Sequence, residues 1–166
     1  ALAVLNLAAD KAGWGKPLPK GSGRGIAVQT VFGTFMAQVA EVEVDKRGDV
    51  HVKRVTCAVD CGVAINPNTI EAQVQSAIVY GLSAALFDEI TLKAGRVEQS
   101  NFHDYRALHI NEMPLIDVQI VKNNEPPGGM GEPGTSALIP AVFNAVYAAT
   151  GVRLRKPPIT PDLLKT

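Results

Sequence analysis

The stretch from Asn66 to Leu86 constrains the fold most, because it predicts a long helix with one apolar face. Asn66 can accept hydrogen bonds from the free amides of a first turn, and Pro67 suits the first helical position, where no N–H is needed. An apolar stripe follows at helical spacing, formed by Ile70, Val74, Ala77, Ile78, Gly81, Leu82 and Ala85. Gln73 falls at the edge of this stripe, where a side chain either faces inward or reaches water.

Segments with the alternation of strands precede and follow this helix. Residues 25–44 are rich in β-branched and aromatic side chains, and the valine–glutamate alternation at 41–44 leads into a polar turn at 45–49. Valines resume after the turn, which predicts a hairpin with one buried and one solvated face. Residues 89–99 predict a second hairpin, and Leu115–Val121 a further strand.

A second long helix is predicted near the end of the chain. Its apolar face contains Ile139, Val142, Phe143, Val146 and Tyr147, and its end is at Gly151. Together, strands of period two and helices of period 3.6 predict an α+β fold. We expect a mixed, mostly antiparallel sheet with two long helices packed on it.

The chain divides into three parts. Residues 1–15 have the pattern of the end of a truncated helix followed by a linker. The apolar face of that helix is formed by Leu2, Leu5 and Ala9. We expect one domain over residues 16–159 and a tail over residues 160–166.

The charge balance narrows the kind of partner. Lysine and arginine together number 16, and aspartate and glutamate together also number 16. No net field therefore draws the chain to nucleic acid or to an anionic membrane, which leaves a small molecule or another polypeptide. No apolar run reaches the ~18 to 20 residues of a membrane span, and the sequence leaves a cytoplasmic or a periplasmic location open.

The two cysteines do not predict a metal site. In a strand, Cys57 and Cys61 would lie ~13 Å apart, too far for a disulfide. No second cysteine pair is present to complete a zinc or iron–sulfur site. We expect two buried, inert thiols and no metal ligands from the chain.

Three further motifs give weak indications. The run 21–25 is glycine-rich, but a strand-like segment follows it, where a nucleotide loop needs a helix. His103 and Asp104 are neighbours in a segment expected to be extended, so their side chains would point to opposite faces. Asp60 either bonds the turn at Gly62 or takes part in chemistry.

The run Gly128–Gly134 places one acidic side chain, Glu132, among glycines and prolines. Glycine lets the backbone come close to a ligand, while Pro126, Pro127 and Pro133 stiffen the chain. Such a loop can hold a carboxylate at a fixed place. Glu132 is therefore the candidate working residue, and a plain surface turn is the alternative.

Five motifs occur in an order that resembles a known family. They are Asp60-Cys61-Gly62, Asn66-Pro67 followed by Gln73, Asn101-Phe102-His103-Asp104-Tyr105, Asn111-Glu112-Met113-Pro114 and Gly129-Met130-Gly131-Glu132-Pro133. Together they resemble the C-terminal part of a molybdenum hydroxylase large subunit, of the isoquinoline 1-oxidoreductase beta-subunit type within the xanthine oxidase and aldehyde oxidase superfamily. The resemblance extends from about Trp14 to Ile159.

The resemblance implies roles for four residues. Glu132 would be the general base in a reaction that hydroxylates N-heterocycles or aldehydes with water-derived oxygen. Gln73 would bind the pterin of a molybdopterin-type molybdenum cofactor, expected in its cytosine dinucleotide form. Met130 and Gly131 would line the cofactor site through their backbone.

The resemblance also implies partners. Relatives of this type hold the cofactor between two large regions and carry iron–sulfur clusters on a separate small subunit. We therefore expect the remainder of a large subunit and a small iron–sulfur subunit as partners, and we expect the isolated chain to be inactive. Two alternatives stay open: a non-catalytic assembly module, and a metal-free hydrolase or lyase that pairs Glu132 with Glu125 or Asp104.

Overall fold

The computed structural model describes residues 1–165 and contains six strands and four α-helices in that range. In chain order the elements are α1 (Leu2–Ala12), β1 (Ser22–Val31), β2 (Thr34–Val44), β3 (Val50–Asp60), α2 (Pro67–Leu86), β4 (Leu92–Lys93), β5 (Arg96–Val97), β6 (Leu115–Ile120), α3 (Pro133–Ser136) and α4 (Leu138–Thr150). Short 3-10 turns occupy Ile110–Glu112 and Pro161–Leu163. No helix in the described range is long and apolar enough to cross a membrane.

The main sheet has the strand order β1-β2-β3-β6. The first three strands pair antiparallel, and β6 pairs parallel to β3. β4 and β5 form a separate small hairpin. This confirms the predicted α+β class with a mixed, mostly antiparallel sheet, and the predicted hairpins at 45–49 and 89–99.

The two long helices form as their sequences predict. The Asn66 side chain accepts a hydrogen bond from the Thr69 amide at 3.1 Å and so caps α2. Every residue of the predicted α2 stripe is buried. Helix α4 ends at Gly151, whose φ of 76° is left-handed. Both helices pack on one face of the sheet, where Met36, Ala40 and Val42 of β2 face them.

Helix α1 covers the opposite face of the sheet. Val4 and Ala8 are fully buried there against Ala37, Val39 and Ala58. The predicted apolar face, Leu2, Leu5 and Ala9, is therefore wrong, and Leu2 is 69% exposed. Almost every side of this helix is apolar, so its sequence pattern does not select a face, and the small residues of the sheet decide which side is buried.

Residues 25–44, which the sequence presents as one strand-like segment, contain a second tight turn. Val31 pairs with Thr34, so Phe32 and Gly33 form a two-residue hairpin turn with φ values of 54° and 76°. Such turns usually contain Asn-Gly. Phenylalanine gives no turn signal, which is why the sequence does not indicate this turn.

The C-terminal residues pack on the domain rather than extending from it. Ile159 and Leu164 are buried in the core that α2 and α4 share with the sheet. Residue 166 of the predicted tail lies outside the described residues.

Candidate functional site

The glycine loop, residues 126–134, runs from the end of the sheet to α3 and is fixed by backbone hydrogen bonds. The Gly128 amide donates to the Cys61 carbonyl at 2.8 Å, and the Gly129 amide donates to the Phe32 carbonyl at 2.8 Å. The loop thus lies between the exit of β3 and the tip of the β1–β2 hairpin. These two amides are thus paired with neighbouring segments, which fixes the first half of the loop.

Side chains from β1 and β2 hold the far half of the same loop. Thr34 Oγ1 donates to the Gly129 carbonyl at 2.8 Å, and Gln38 Nε2 donates to the Gly134 carbonyl at 2.8 Å. Gln29 donates to the Pro133 carbonyl. Glu132, between these anchored residues, is therefore held on both sides by the sheet.

A cavity of about 580 Å³ opens where the loop meets α2 and the β1–β2 hairpin. Gln73 and Tyr80 line it from α2, Phe32 from the hairpin, and Gly131 and Glu132 from the loop. The structure therefore brings together Gln73 and Glu132, which are far apart in sequence.

Gln73 contacts the loop directly. Its Nε2 donates to the Gly131 carbonyl at 3.2 Å, and its side chain is exposed to the cavity. A Cβ added at Gly131 would meet no atom within 4 Å, so the backbone there is open to a ligand. Met130 is half-buried, packs against the core and is not among the residues that line the cavity.

The cavity has one acidic group and little other charge. Glu132 is exposed and is the only carboxylate among the described residues that line it. No lysine, arginine or histidine is among those residues either. The lining residues that carry hydroxyl groups are Ser76, Tyr80, Thr135 and Ser136.

The other acidic candidates lie elsewhere. Asp60 Oδ1 accepts a hydrogen bond from the Gly62 amide at 3.3 Å, which confirms the turn-bonding alternative. Neither Glu125 nor Asp104 lines the cavity of Glu132. The structure therefore offers no carboxylate pair for the hydrolase alternative at this cavity.

The expected extended conformation at His103 and Asp104 is wrong. These residues lie in a turn, and their side chains approach each other, with His103 Nε2 at 3.6 Å from Asp104 Oδ2. Backbone hydrogen bonds from Asn101 and Ser100 lower the pKa of Asp104 to about 2. The turn forms because the Asp104 carboxylate accepts hydrogen bonds from the Ser100 and Asn101 amides, each at 2.9 Å.

The cysteines are structural. Cys57 and Cys61 are both buried, which confirms the prediction of buried thiols. Burial raises the pKa of Cys57 to about 12, so that thiol is uncharged at neutral pH. Within residues 1–165, no group of three or more His, Cys, Asp or Glu side chains is placed to hold a metal ion.

Sequence reasoning did not find Gln38 and Thr34, the two β2 residues that hold the loop. Both are fully buried. A weak signal exists for Gln38, since it is an amide within the otherwise apolar run Met36–Ala40. A buried amide needs a partner, but the sequence does not indicate which one.

A model of the molybdopterin cofactor-binding domain family matches residues 7–114. Two curated proteins are similar over almost the whole chain. A membrane-bound aldehyde dehydrogenase [pyrroloquinoline-quinone] from Gluconacetobacter polyoxogenes is 36% identical over 98% of this chain and 22% of its own length. Isoquinoline 1-oxidoreductase subunit beta from Brevundimonas diminuta is 33% identical over 97% of this chain and 21% of its own length.

Among solved structures, quinoline 2-oxidoreductase from Pseudomonas putida 86 superposes with a TM-score of 0.73 and 26% identity. The match covers 78% of this chain and 18% of that one. The chain thus spans about a fifth of the length of the relatives it matches.

Proposed function

Because the chain belongs to the molybdopterin cofactor-binding domain family, we propose that it forms part of the active site of a molybdenum-dependent oxidoreductase. The enzyme would hydroxylate N-heterocycles or aldehydes with water-derived oxygen. One observation carries the proposal: a single cavity is lined by the Glu132 carboxylate, the Gln73 amide and the open backbone of Gly131. The carboxylate is a base, and the amide and the backbone groups can form hydrogen bonds with a polar ring.

The residues present fit a pterin. A pterin ring edge carries N–H donors and carbonyl or nitrogen acceptors, which pair with amides and backbone groups. Gln73 supplies an amide, and Gly131 allows a ligand to reach its backbone because no side chain intervenes. When bound, the molybdenum cofactor would supply the redox chemistry, by accepting the two electrons removed from the substrate.

Gln73 would act in binding. Its Nε2 donates to the Gly131 carbonyl at 3.2 Å, which ties the loop to α2. Its Oε1 can then accept a hydrogen bond from a ring N–H. The residue would thus orient the ligand relative to the loop that carries Glu132. Met130 and Gly131 would contribute through their backbone, as the family resemblance implies.

Glu132 would act as the general base. Its carboxylate is exposed to the cavity and can accept a proton from the water-derived oxygen as that oxygen attacks the substrate carbon. The neighbouring residues Pro133 and Gly134 accept hydrogen bonds from Gln29 and Gln38. Fixing the backbone in this way keeps the carboxylate in place through the reaction.

The direct test is Glu132→Gln in the complete enzyme that contains this chain. The substitution keeps the shape and removes the basicity, so turnover should fall by roughly two to four orders of magnitude at unchanged molybdenum content. Glu125→Gln is the matched control, because Glu125 is exposed in the approach to the loop but does not line the cavity. Near-normal turnover of Glu132→Gln at full molybdenum occupancy would refute the assignment.

Cofactor identity has its own test. The Gluconacetobacter relative is named for pyrroloquinoline quinone, whereas the matching family model describes a molybdopterin cofactor. Elemental analysis of the complete enzyme separates the two, since the quinone contains no molybdenum. Acid hydrolysis should release cytidine monophosphate if the cofactor is the cytosine dinucleotide form.

We also propose that this chain acts together with the remainder of a large subunit and with a small iron–sulfur subunit. The chain spans about a fifth of its relatives' length, and Phe102, Ile110 and Leu115 are more than 70% exposed. Such apolar surface suits contact with another polypeptide.

Purified alone, the chain should carry no molybdenum and oxidise no N-heterocycle or aldehyde; stoichiometric metal with turnover would contradict this.

A further inference from the structure

Phe32, at the tip of the β1–β2 hairpin, occupies a position that folding does not favour for phenylalanine. Its φ of 54° lies in the left-handed region, where a bulky residue is uncommon and asparagine or glycine is preferred. Its side chain is 63% exposed, so the ring does not serve the core. An exposed aromatic ring on strained backbone suggests a role in binding.

The Phe32 backbone is joined directly to the loop that carries Glu132. The Phe32 carbonyl accepts a hydrogen bond from the Gly129 amide at 2.8 Å. A Cβ added at Gly129 would lie 2.9 Å from the Phe32 Cβ, so the absence of a side chain on the loop makes room for this residue. Phe32 and Glu132 line the same cavity.

A second aromatic side chain faces this cavity from α2. Tyr80 is 71% exposed and lines the cavity together with the apolar residues Val31 and Ala77. No lysine, arginine or histidine among the described lining residues could balance an anionic ligand beside Glu132. The cavity mouth therefore offers aromatic surfaces and disfavours negative charge.

We propose that Phe32 and Tyr80 bind the ring of the substrate, so that the enzyme takes planar, uncharged aromatic molecules in preference to aliphatic aldehydes and aromatic carboxylates. This inference rests on the function proposed above for the cavity of Glu132. Because Phe32 and Glu132 line one cavity, a ring bound on Phe32 would occupy the same cavity as the carboxylate. The residues that select the substrate would then include a turn residue that the fold itself does not require.

The test uses Phe32→Asn in the complete enzyme, with benzaldehyde and propanal as substrates. Asparagine suits the left-handed backbone, so the melting temperature should be unchanged or higher. Loss of one aromatic contact should raise KM for benzaldehyde roughly three- to tenfold, with KM for propanal and the molybdenum content unchanged. Inhibition by benzamide, which lacks the oxidisable group, should weaken by the same factor.

Trp14→Asn is the matched control, because Trp14 is an aromatic residue that is 48% exposed and lies outside the cavity; the kinetic constants of this variant should stay at the wild-type values. Phe32→Tyr keeps the ring and should retain the wild-type KM. Tyr80→Ala, on the exposed face of α2, should also raise KM for benzaldehyde selectively. Tyr80→Ala therefore tests the ring-binding role independently if Phe32→Asn folds poorly.

Charge selection is tested with nicotinamide and nicotinate, which share one ring. Nicotinamide should bind at least about tenfold more tightly, because no cation among the described lining residues offsets the repulsion between Glu132 and a carboxylate. Equal binding would overturn the inference that the substrate is uncharged.

The outcomes separate this inference from the proposed function. An unchanged KM for benzaldehyde in both Phe32→Asn and Tyr80→Ala, with normal molybdenum and turnover, overturns the ring-binding role and leaves the proposed function standing. An equal rise in both substrates' KM, or a loss of molybdenum, marks a structural role and also overturns it. Full activity of Glu132→Gln removes the proposed function and this inference together.

Discussion

The two sides of the glycine loop differ in how much space surrounds them. On the side facing the sheet, a Cβ added at Gly128 would lie 2.6 Å from Thr34 Oγ1 and 2.7 Å from the Gly33 carbonyl oxygen. On the side facing the cavity, a Cβ added at Gly131 would meet nothing within 4 Å. The same residue type thus serves close packing at one position and leaves space at the other.

The two glutamines that hold the loop differ in the same way. Gln38 is fully buried and donates to the Gly134 carbonyl at 2.8 Å, whereas Gln73 is exposed and donates to the Gly131 carbonyl at 3.2 Å. A buried hydrogen bond contributes to stability because its loss leaves a buried acceptor without a partner. An exposed one can exchange with water. The sheet side therefore fixes the loop, and the cavity side stays available to a ligand.

The largest effect on stability is expected from alanine at Gly128, on the side of the loop that faces the sheet. Gly128→Ala should lower the free energy of unfolding by about 3 kcal/mol, because its Cβ would overlap the Gly33 backbone and Thr34. Gly131→Ala, the matched control, should be neutral or up to about 1 kcal/mol more stable, since it restricts the unfolded chain without a clash. Urea unfolding of both variants measures this, and equal stability would remove the contrast between the sides.

A smaller effect is expected at the buried glutamine. Gln38→Leu keeps the volume but removes the donor, so the Gly134 carbonyl loses its partner, at a cost of about 1 to 2 kcal/mol. The cost is moderated because the buried Gln38 Oε1 itself has no partner within residues 1–165. Hydrogen exchange should show faster opening over residues 129–135. If stability and exchange are both unchanged, Gln38 does not fix the loop.

Local patterns predicted most of the fold. The Asn66 cap, the α2 stripe and the strand alternation are each encoded by residues close in sequence, and each was confirmed. The Phe32–Gly33 turn was missed because its first residue is atypical for its backbone conformation. The buried face of α1 was missed because contacts with the sheet, and not the helix's own pattern, select Val4 and Ala8.

The candidate site depended on a different kind of information. Glu132 was selected by its place in the glycine loop and by motif resemblance, and Gln73 by motif resemblance alone; nothing local in the sequence indicates that they share a cavity. The hydrogen bond from Gln73 to Gly131, the residue before Glu132, spans 58 residues. The bond from Gln38 to Gly134 spans 96 residues. Such pairings depend on how the chain folds back on itself, so residues that only support the site are invisible without the structure.

The smallest effect on stability is expected at Gln73, where the comparison between the two sides is sharpest. Gln73→Ala should change the free energy of unfolding by less than about 0.5 kcal/mol, because its bond to Gly131 is exposed to water. In the complete enzyme the same variant should lower molybdenum content more than turnover per molybdenum, since a ligand contact is lost and the base is kept. Gln75→Ala is the control: Gln75 lies two residues further along α2, donates a hydrogen bond to Glu71 on the same helix and does not line the cavity, so molybdenum content should stay unchanged. A stability loss at Gln73 as large as that at Gln38 would show that both sides of the loop are structural, and full molybdenum retention would remove Gln73 from the cofactor site.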